Sequence, residues 1–139
     1  MTGLRSISVG PLFLLSLVTL GCGSGRQLQT VKIAPAAATS QAQFTATGTF
    51  SKPPSPVTLT SKDVTWCVGV LTNALNATPN ACVGNVAPFA TVDQNGMAQC
   101  NAATHGSGYI LAGASQMFSM NPDGGSQFKV SGYATLSCP

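Results

Sequence analysis

The run Gln43–Phe50 constrains the fold of this chain more than any other stretch. Apolar or small residues occupy every second position from Phe44 onward, and threonines fill the positions between them. Successive side chains of a β-strand point to opposite faces of the sheet, so this alternation predicts a strand with one face in a core and the other in water. We therefore expect an all-β fold.

A second predicted strand, Lys62–Cys67, places the one tryptophan of the chain in that core. Val64 and Trp66 share one face of this strand, whereas Thr65 and Cys67 share the other. If Trp66 points inward, Cys67 points outward. A disulfide at Cys67 is then expected outside the core of the sandwich.

The composition favours an exported β-protein. The 139 residues include six Lys or Arg, three Asp, no Glu and one His, whereas roughly a quarter of the residues of an average soluble protein are charged. Helices would need Glu, Lys and Leu at helical spacing, which the chain lacks. The cations are scattered, and binding to a phosphate backbone needs several that converge. No nucleic acid partner is expected.

The first 21 residues have the features of an export signal. Arg5 supplies the positive start, and Pro11–Leu20 is an apolar segment of ten residues, too short for a membrane-spanning helix, which needs about 20. Thr19–Cys22 resembles the lipobox of bacterial lipoproteins, in which the cysteine after a small residue is lipidated, although Thr19 stands where leucine is usual. The alternative is an ordinary signal peptide with Cys22 near its cleavage site.

These features predict a signal peptide (1–21), a flexible tether (22–27) and one domain (28–139). Lipidation of Cys22 would make a membrane the first partner of the protein and would hold the domain there without spanning the bilayer.

Four cysteines remain when Cys22 is set aside, and an even number in an exported chain predicts two disulfides. Of the three pairings, we favour Cys67–Cys82, which closes a segment rich in Pro and Asn, and Cys100–Cys138, which ties the end of the chain to a middle strand. A zinc site is the competing interpretation, but zinc-binding cysteines come in close pairs, whereas the gaps here are 15, 18 and 38 residues. No metal and no cofactor are expected.

Turn signals separate the remaining strands. The first strand begins at Leu28 and ends at Pro35, Ala36–Ser40 is predicted to be a plain connection, and Val68–Pro88 is predicted to be a long irregular loop. Further strands are expected at Val57–Thr60, Phe89–Val92, Met97–Cys100, Gly108–Ala114 and Phe128–Leu136.

About seven short strands with turns between them are typical of a Greek-key β-sandwich, and we expect an Ig-like one in a monomer. The predicted core residues are Trp66, Phe44, Phe50, Val64, Val92, Ile110 and Val130. In the last strand, the phase of Val130 is shared by Phe128, Gly132, Ala134 and Leu136. The inter-sheet bridge of antibody domains is not expected, because Gln43–Phe50 has no cysteine.

Four motifs are Val31–Pro35, Gln43–Phe50 with the pattern F-x-A-x-G, Asp63–Trp66 with V-T-W, and Ala90–Ala98 with A-T-V-D-x-x-G. Together they resemble the bacterial Ig-like domain, group 2 type, over about residues 28–115. The resemblance implies an Ig-like sandwich of the kind that serves as spacer or tip in bacterial surface proteins such as intimin- and invasin-type adhesins. The long segment after Trp66 and the insertion Gln116–Ser126 depart from the family pattern.

The chain is not expected to be an enzyme. His105 lies in a predicted turn without a nucleophile elbow, although Ser107 is near it in sequence. Asp93 and Asp123 lie in turns, where Asp binds backbone amides. With no Glu, only Asp63 remains, so a pair of convergent carboxylates is not expected.

A surface-anchored Ig-like module for binding or adhesion agrees best with these features. Its ligand, a surface protein or a carbohydrate, is expected on the loops Val68–Pro88 or Gln116–Ser126, the second of which holds Met117, Phe118 and Met120. The alternative is a structural envelope lipoprotein with no dedicated ligand. The expected location is the bacterial cell envelope, at the outer membrane or the cell surface.

Overall fold

The computed structural model of the protein describes residues 25–70, 79–83, 89–117 and 125–139, except for the side chains of Gln116 and Met117. Within these residues the chain forms eleven strands and no helix. The strands are β1 (Leu28–Ala34), β2 (Ala37–Thr39), β3 (Gln41–Gln43), β4 (Thr45–Phe50), β5 (Val57–Leu59), β6 (Thr65–Val70), β7 (Ala81–Cys82), β8 (Ala90–Val92), β9 (Met97–Cys100), β10 (Gly106–Met117) and β11 (Gln127–Cys138).

The first layer is built around the alternating run Gln43–Phe50. This run comprises the last residue of β3 and all of β4. The two strands are separated only by Phe44, whose N–H donates to the carbonyl of Gly96 (2.8 Å). β4 pairs with β1 along one edge and with β5 along the other, while β3 pairs with β9 and β9 with β8. The order across this layer is therefore β1, β3–β4, β9, β8, with the short β5 beside β4.

The second layer is built on the long hairpin of β10 and β11. β6 pairs antiparallel with β10 and places Trp66 opposite Ala112, and β2 pairs parallel with β11 and places Ala37 opposite Thr135. The prediction of a plain connection at Ala36–Ser40 is therefore wrong. The chain crosses between layers after Pro35 because the edge of β11 offers unpaired backbone groups that β2 satisfies.

The strand order confirms the predicted Ig-like sandwich. With the short β2, β5 and β7 set aside, seven strands remain when β3 and β4 are counted as one. We number these seven strands by their order along the chain. Read across each sheet, the first layer then has strands 1, 2, 5 and 4, and the second layer has strands 3, 6 and 7. This is the ABED and CFG arrangement of constant-type immunoglobulin domains.

The core lies between the two layers and contains Trp66. Its largest fully buried side chains include Phe44, Ile110 and Leu136. The structure places the predicted core residues in two groups: Trp66, Phe44, Val64 and Ile110 are buried, and Phe50, Val92 and Val130 are partly buried against them. Burial of a large apolar side chain contributes roughly 1.5–3 kcal/mol, so these few residues supply much of the driving force for folding.

The segment after Trp66 is more ordered than its sequence predicted. β6 continues to Val70, and Ala81 of β7 pairs with both Val70 and Gln127. Pro79 is fully buried. The prediction of an irregular loop is therefore wrong for these parts of Val68–Pro88, whereas residues 71–78 and 84–88 lie outside the described residues.

β7 closes four strands of the second layer into a ring of pairings. β10 pairs with β6 and β11, and β7 pairs with the same two strands. A second apolar cluster of Cys67, Cys82, Leu111 and Phe128 accompanies this ring. Cys67 is thus separate from the core cluster that holds Trp66, which confirms the predicted opposite phases of these two residues.

Phe128 departs from its predicted phase. The alternation of the last strand placed it with Val130, but its ring covers Gly113 so closely that a Cβ on this glycine would overlap it, and it belongs to the second cluster. Ser115 lies between Ala114 and Gln116, the partners of Val130 and Phe128, and has a φ of 55°, which is uncommon for a non-glycine residue. Such a backbone interrupts the period-two alternation of a strand, which explains why the sequence pattern did not place Phe128.

Both favoured disulfides are confirmed. Cys67 and Cys82 have Cα atoms 5.6 Å apart, and Cys100 and Cys138 have Cα atoms 5.7 Å apart. The first bridge joins β6 to β7 within one layer. The second joins β9 of the first layer to the end of β11 in the second layer, so it links the layers through strands other than those bridged in antibody domains.

Candidate functional site

Two tyrosines stand on the outward face of the β10–β11 hairpin. The rings of Tyr109 and Tyr133 meet edge to face, with centroids 5.6 Å apart and planes at 87°. They reach the same face because the register places Tyr109 opposite Thr135 and Leu111 opposite Tyr133, and alternate residues of a strand share a face. Tyr133 is 41% exposed, which makes it one of two large apolar side chains that the described residues leave exposed.

Hydroxyl groups surround this aromatic pair. Thr135 lies opposite Tyr109 in the register, and the hydroxyls of Ser107 and Ser137 are hydrogen-bonded to each other at 2.9 Å. We call these five residues the tyrosine face. It combines two aromatic rings with three neutral groups that both donate and accept hydrogen bonds.

A groove of about 350 Å³ runs beside Tyr133. Val31 and Lys32 of β1 line one side of it, and Ser131 and Tyr133 of β11 line the other. Pro79 also lines it, and its carbonyl accepts a hydrogen bond from the hydroxyl of Ser131 (3.4 Å). Lys32 is the one charged residue among those that line the groove. The volume of the groove lies at the lower end of the range of small-molecule sites.

The chain enters the domain through a clamp. The N–H of Gln27 donates to the hydroxyl of Ser51 (3.0 Å), and the N–H of Ser51 donates to the carbonyl of Gln27 (2.9 Å). The guanidinium of Arg26 lies 3.5 Å from the centroid of the Phe50 ring and donates to the carbonyl of Lys52 (3.2 Å). The sequence assigned Arg26 and Gln27 to the flexible tether, whereas the structure binds both to the domain.

Asp63 caps the turn that precedes β6. Its Oδ2 accepts hydrogen bonds from the N–H and the hydroxyl of Thr60, both at 2.8 Å. The bond from the Thr60 N–H, followed by the bond from its hydroxyl, holds the pKa of Asp63 below its ordinary value, and the charges of Arg26 and Lys62 lower it further. Each of these interactions favours the ionised carboxylate.

The remaining polar candidates have structural partners. Nδ1 of His105 is hydrogen-bonded to the carbonyl of Pro139, and the hydroxyl of Ser107 pairs with Ser137. Oδ1 of Asp93 accepts from the backbone of Asn95 and Met97, at 2.8 and 2.9 Å, and closes the β8–β9 turn. Among residues 25–70, 79–83, 89–117 and 125–139, no group of three His, Cys, Asp or Glu is placed to hold a metal ion.

Several predicted features lie outside the described residues. These are the signal peptide, Cys22, and the loop residues 71–78, 84–88 and 118–124, which include Phe118, Met120 and Asp123. The described part of the chain has no helix of the length and apolar character that crossing a membrane requires.

No protein-family model matches this chain, and no curated protein matches it. The resemblance to the bacterial Ig-like domain of group 2 type therefore rests on the four sequence motifs. It stays a prediction beside the Ig-like strand order, which the structure shows independently.

Sequence reasoning missed the tyrosine face, although a signal was present. Tyr109 and Tyr133 stand one position out of phase with Ile110 and Ala134, the core residues of their strands. Two aromatic side chains at water-facing positions of two consecutive strands indicate an exposed aromatic pair, provided that the strands are neighbours. Only the register of β10 and β11 shows that they are.

Proposed function

We propose that this protein is an exported, lipid-anchored Ig-like module that binds a ligand at the bacterial cell surface. Residues 1–21 act as the signal peptide and Cys22 carries the lipid. The domain then presents its flank to the surroundings of the cell. Support for the anchor comes from the sequence, in the apolar segment Pro11–Leu20 that Gly21 and Cys22 follow directly, and in the odd number of cysteines.

The exposed ring of Tyr133 is the observation that carries the binding function. An aromatic ring at a surface offers an apolar face beside a polar tip, which suits it to ligand contact. Tyr109 supports the ring from its edge, and the groove beside Tyr133 gives a ligand a concave surface. We therefore place the ligand site on the tyrosine face and the adjoining groove rather than on the loops that the sequence favoured.

A neutral carbohydrate is the ligand class that this surface suits best. Sugar rings present flat C–H surfaces that pack on aromatic rings and hydroxyls that exchange hydrogen bonds with Ser and Thr. The tyrosine face has no charged member, and Lys32 alone is charged along the groove. An acidic or strongly basic protein partner would lack complementary charges here.

Binding to a panel of immobilised neutral and acidic glycans tests this proposal. The full protein, purified from the membrane fraction, is compared with Tyr133→Ser and with Met97→Ser. Met97 is the matched control because it is 37% exposed and lies on β9 of the other layer. We expect neutral glycans to bind, Tyr133→Ser to weaken binding at least about tenfold, and Met97→Ser to leave it unchanged. If no glycan binds, a structural envelope lipoprotein becomes the better interpretation.

The anchor is tested separately by the intact mass of the same preparation. A diacyl or triacyl group is expected on Cys22, and the Cys22→Ser variant is expected in the soluble fraction. Alkylation before reduction should label none of the other four cysteines, because both pairs are bridged. An unlipidated wild-type mass would contradict the anchor but leave the glycan test intact.

A further inference from the structure

The two ends of the sandwich differ in which chain segments they hold. β1 runs away from the clamp at Gln27 and β4 returns to it, so the connection 51–64 between β4 and β6 begins beside the N-terminal end of the domain. The opposite end holds Ser40, whose N–H donates to the carbonyl of Ser137, and His105, which is hydrogen-bonded to Pro139. The point where the chain leaves the domain toward Cys22 therefore lies at the end that we call the entry end (residues 25–27 and 51–64).

The tether between the domain and Cys22 is short. The clamp fixes the backbone at Gln27 and the side chain of Arg26. Four residue steps separate Cys22 from Arg26, and an extended chain spans at most about 3.6 Å per residue, or about 14 Å in total. A lipid on Cys22 would thus hold the entry end within about 14 Å of the headgroups.

Charge is concentrated at the entry end. Arg26, Lys52 and Lys62 are exposed there, and two acidic residues lie with these three cations. Besides the hydrogen bonds from Thr60, the nearby charge of Arg26 lowers the pKa of Asp63, and the turn of Asp93 lines a cavity together with Thr60 and Ser61 through Gln94 and Asn95. The Asp63 carboxylate is turned onto Thr60, which donates two hydrogen bonds to it. At the opposite end, residues 34–43, 98–109 and 133–139 contain no Lys, Arg, Asp or Glu. The domain is therefore polarised, with a net positive end where the tether leaves.

We propose that the entry end rests on an anionic lipid surface, with Arg26, Lys52 and Lys62 facing the headgroups. This proposal rests on the proposed lipid anchor at Cys22, which brings the cations within reach of the membrane field. The short tether and the sign of the charge favour the same orientation. The tyrosine face then lies on the flank of an upright domain and remains open to ligand.

Lysine reactivity in the anchored protein tests this orientation without any substitution. The full protein is placed in vesicles of neutral lipid and in vesicles with about a third of anionic lipid, and the rate of acetylation of each lysine is read by mass spectrometry. Lys52 and Lys62 report on the entry end. Lys32 is the matched control, because it is exposed and lies in the middle of β1 opposite Thr47.

We expect acetylation of Lys52 and Lys62 to slow at least threefold on anionic vesicles relative to neutral ones, and high salt to reverse the effect. Lys32 should change by less than about half as much. Equal protection of all three lysines would mean that the domain lies on its flank, and no protection would mean that it stands free of the surface. Either result overturns the proposal.

Failure of the anchor is distinguishable from failure of the orientation. If the intact mass shows an unlipidated Cys22, the same chain is coupled through this thiol to a maleimide phospholipid in the two kinds of vesicle, and the reactivity measurement is repeated. Protection of Lys52 and Lys62 in that sample would support the orientation while the natural anchor is rejected. Loss of protection there would reject both.

Discussion

Gln94 holds the edge of β6 at Trp66 through both polar groups of its side chain. Its Oε1 accepts from the N–H of Trp66 (3.2 Å), and its Nε2 donates to the carbonyl of the same residue (3.1 Å). The side chain thereby forms the two hydrogen bonds that a neighbouring strand would supply. The turn of the β8–β9 hairpin in the first layer is thus bound to the backbone of the tryptophan in the second layer.

Loss of this contact should destabilise the domain. Gln94→Leu leaves the N–H and carbonyl of Trp66 without their partner, and an unsatisfied polar group of this kind costs about 1–3 kcal/mol. Urea unfolding followed by the fluorescence of Trp66 gives the free energy of unfolding. Gln99→Leu on β9 is the control, because Gln99 is exposed, and its effect should stay within about 0.5 kcal/mol. Equal effects of both variants would argue against the contact.

Two things prevent a side chain at Gly96, its positive φ and the atoms packed against it, and a comparison with Gly106 separates their effects. Gly96 has a φ of 86°, and a Cβ on it would lie 3.0 Å from the Trp66 ring and overlap the carbonyl of Phe44. Gly106 has a φ of 117° but no atom within 4 Å of such a Cβ. Gly106→Ala should therefore lower the free energy of unfolding by about 1–3 kcal/mol through backbone strain alone, and Gly96→Ala by more. A smaller loss for Gly96→Ala would show that the ring and carbonyl move aside easily.

Each disulfide should contribute stability that grows with the logarithm of the length of chain it closes. The sequence separations are 15 and 38 residues, which correspond to about 3 and about 4 kcal/mol in the chain-entropy model. The double variants Cys67→Ala/Cys82→Ala and Cys100→Ala/Cys138→Ala should lower the guanidinium midpoint accordingly.

The first of these double variants should lose more than its loop length predicts. Cys67 and Cys82 also pack with Leu111 and Phe128 in the second cluster, so their replacement removes apolar contacts as well as the bridge. Cys22→Ser is the control and should leave the midpoint unchanged. A midpoint unaffected by either double variant would contradict a structural role of that bridge.

Asp63 should make a small contribution to the free energy of unfolding, and this contribution should depend on pH. Because its folded pKa is lowered, first by the Thr60 N–H and then by the Thr60 hydroxyl, the contribution is fully present above the pKa of an unfolded Asp and is lost as the pH falls through the folded pKa. Asp63 is exposed, so the contribution should stay below about 1 kcal/mol. The difference in thermal stability between wild type and Asp63→Asn should therefore be largest near neutral pH and shrink in acid. A difference that grows in acid would contradict this assignment.

The predicted strands were found where alternation or turn residues were strong. Phe44 and Trp66 lie in the core, and the β8–β9 hairpin has the predicted turn, because period-two patterns and turn chemistry are local properties. β2 and β7 were missed because each has three residues or fewer and depends on a partner far away in the chain. β2 and β7 pair with β11 at Thr135 and Gln127, and nothing in the sequence around these two residues predicts those pairings.

The candidate site was predicted less well than the fold. The sequence predicted a ligand site on the loops Val68–Pro88 or Gln116–Ser126, whereas the exposed Tyr133 and the partly buried Tyr109 stand on β11 and β10. Tyr109 and Tyr133 are 24 residues apart in the chain, and their ring contact depends on the register of one hairpin. A shift of that register by one residue would send their side chains to opposite faces. The sequence of either strand alone does not specify the register.

The sequence by itself determined that this chain folds as a β-sandwich, that Trp66 and Cys67 face opposite ways, and that four cysteines form two disulfides, of whose three possible pairings it favoured Cys67–Cys82 and Cys100–Cys138. Alternation, turn residues and cysteine number are enough for this because they act through nearby residues or through simple counting. Tertiary structure alone decided that Gln94 binds the edge of β6, that the chain is clamped from Arg26 onward and that two tyrosines share a face. These contacts join residues distant in sequence, and their energies arise only when the layers pack.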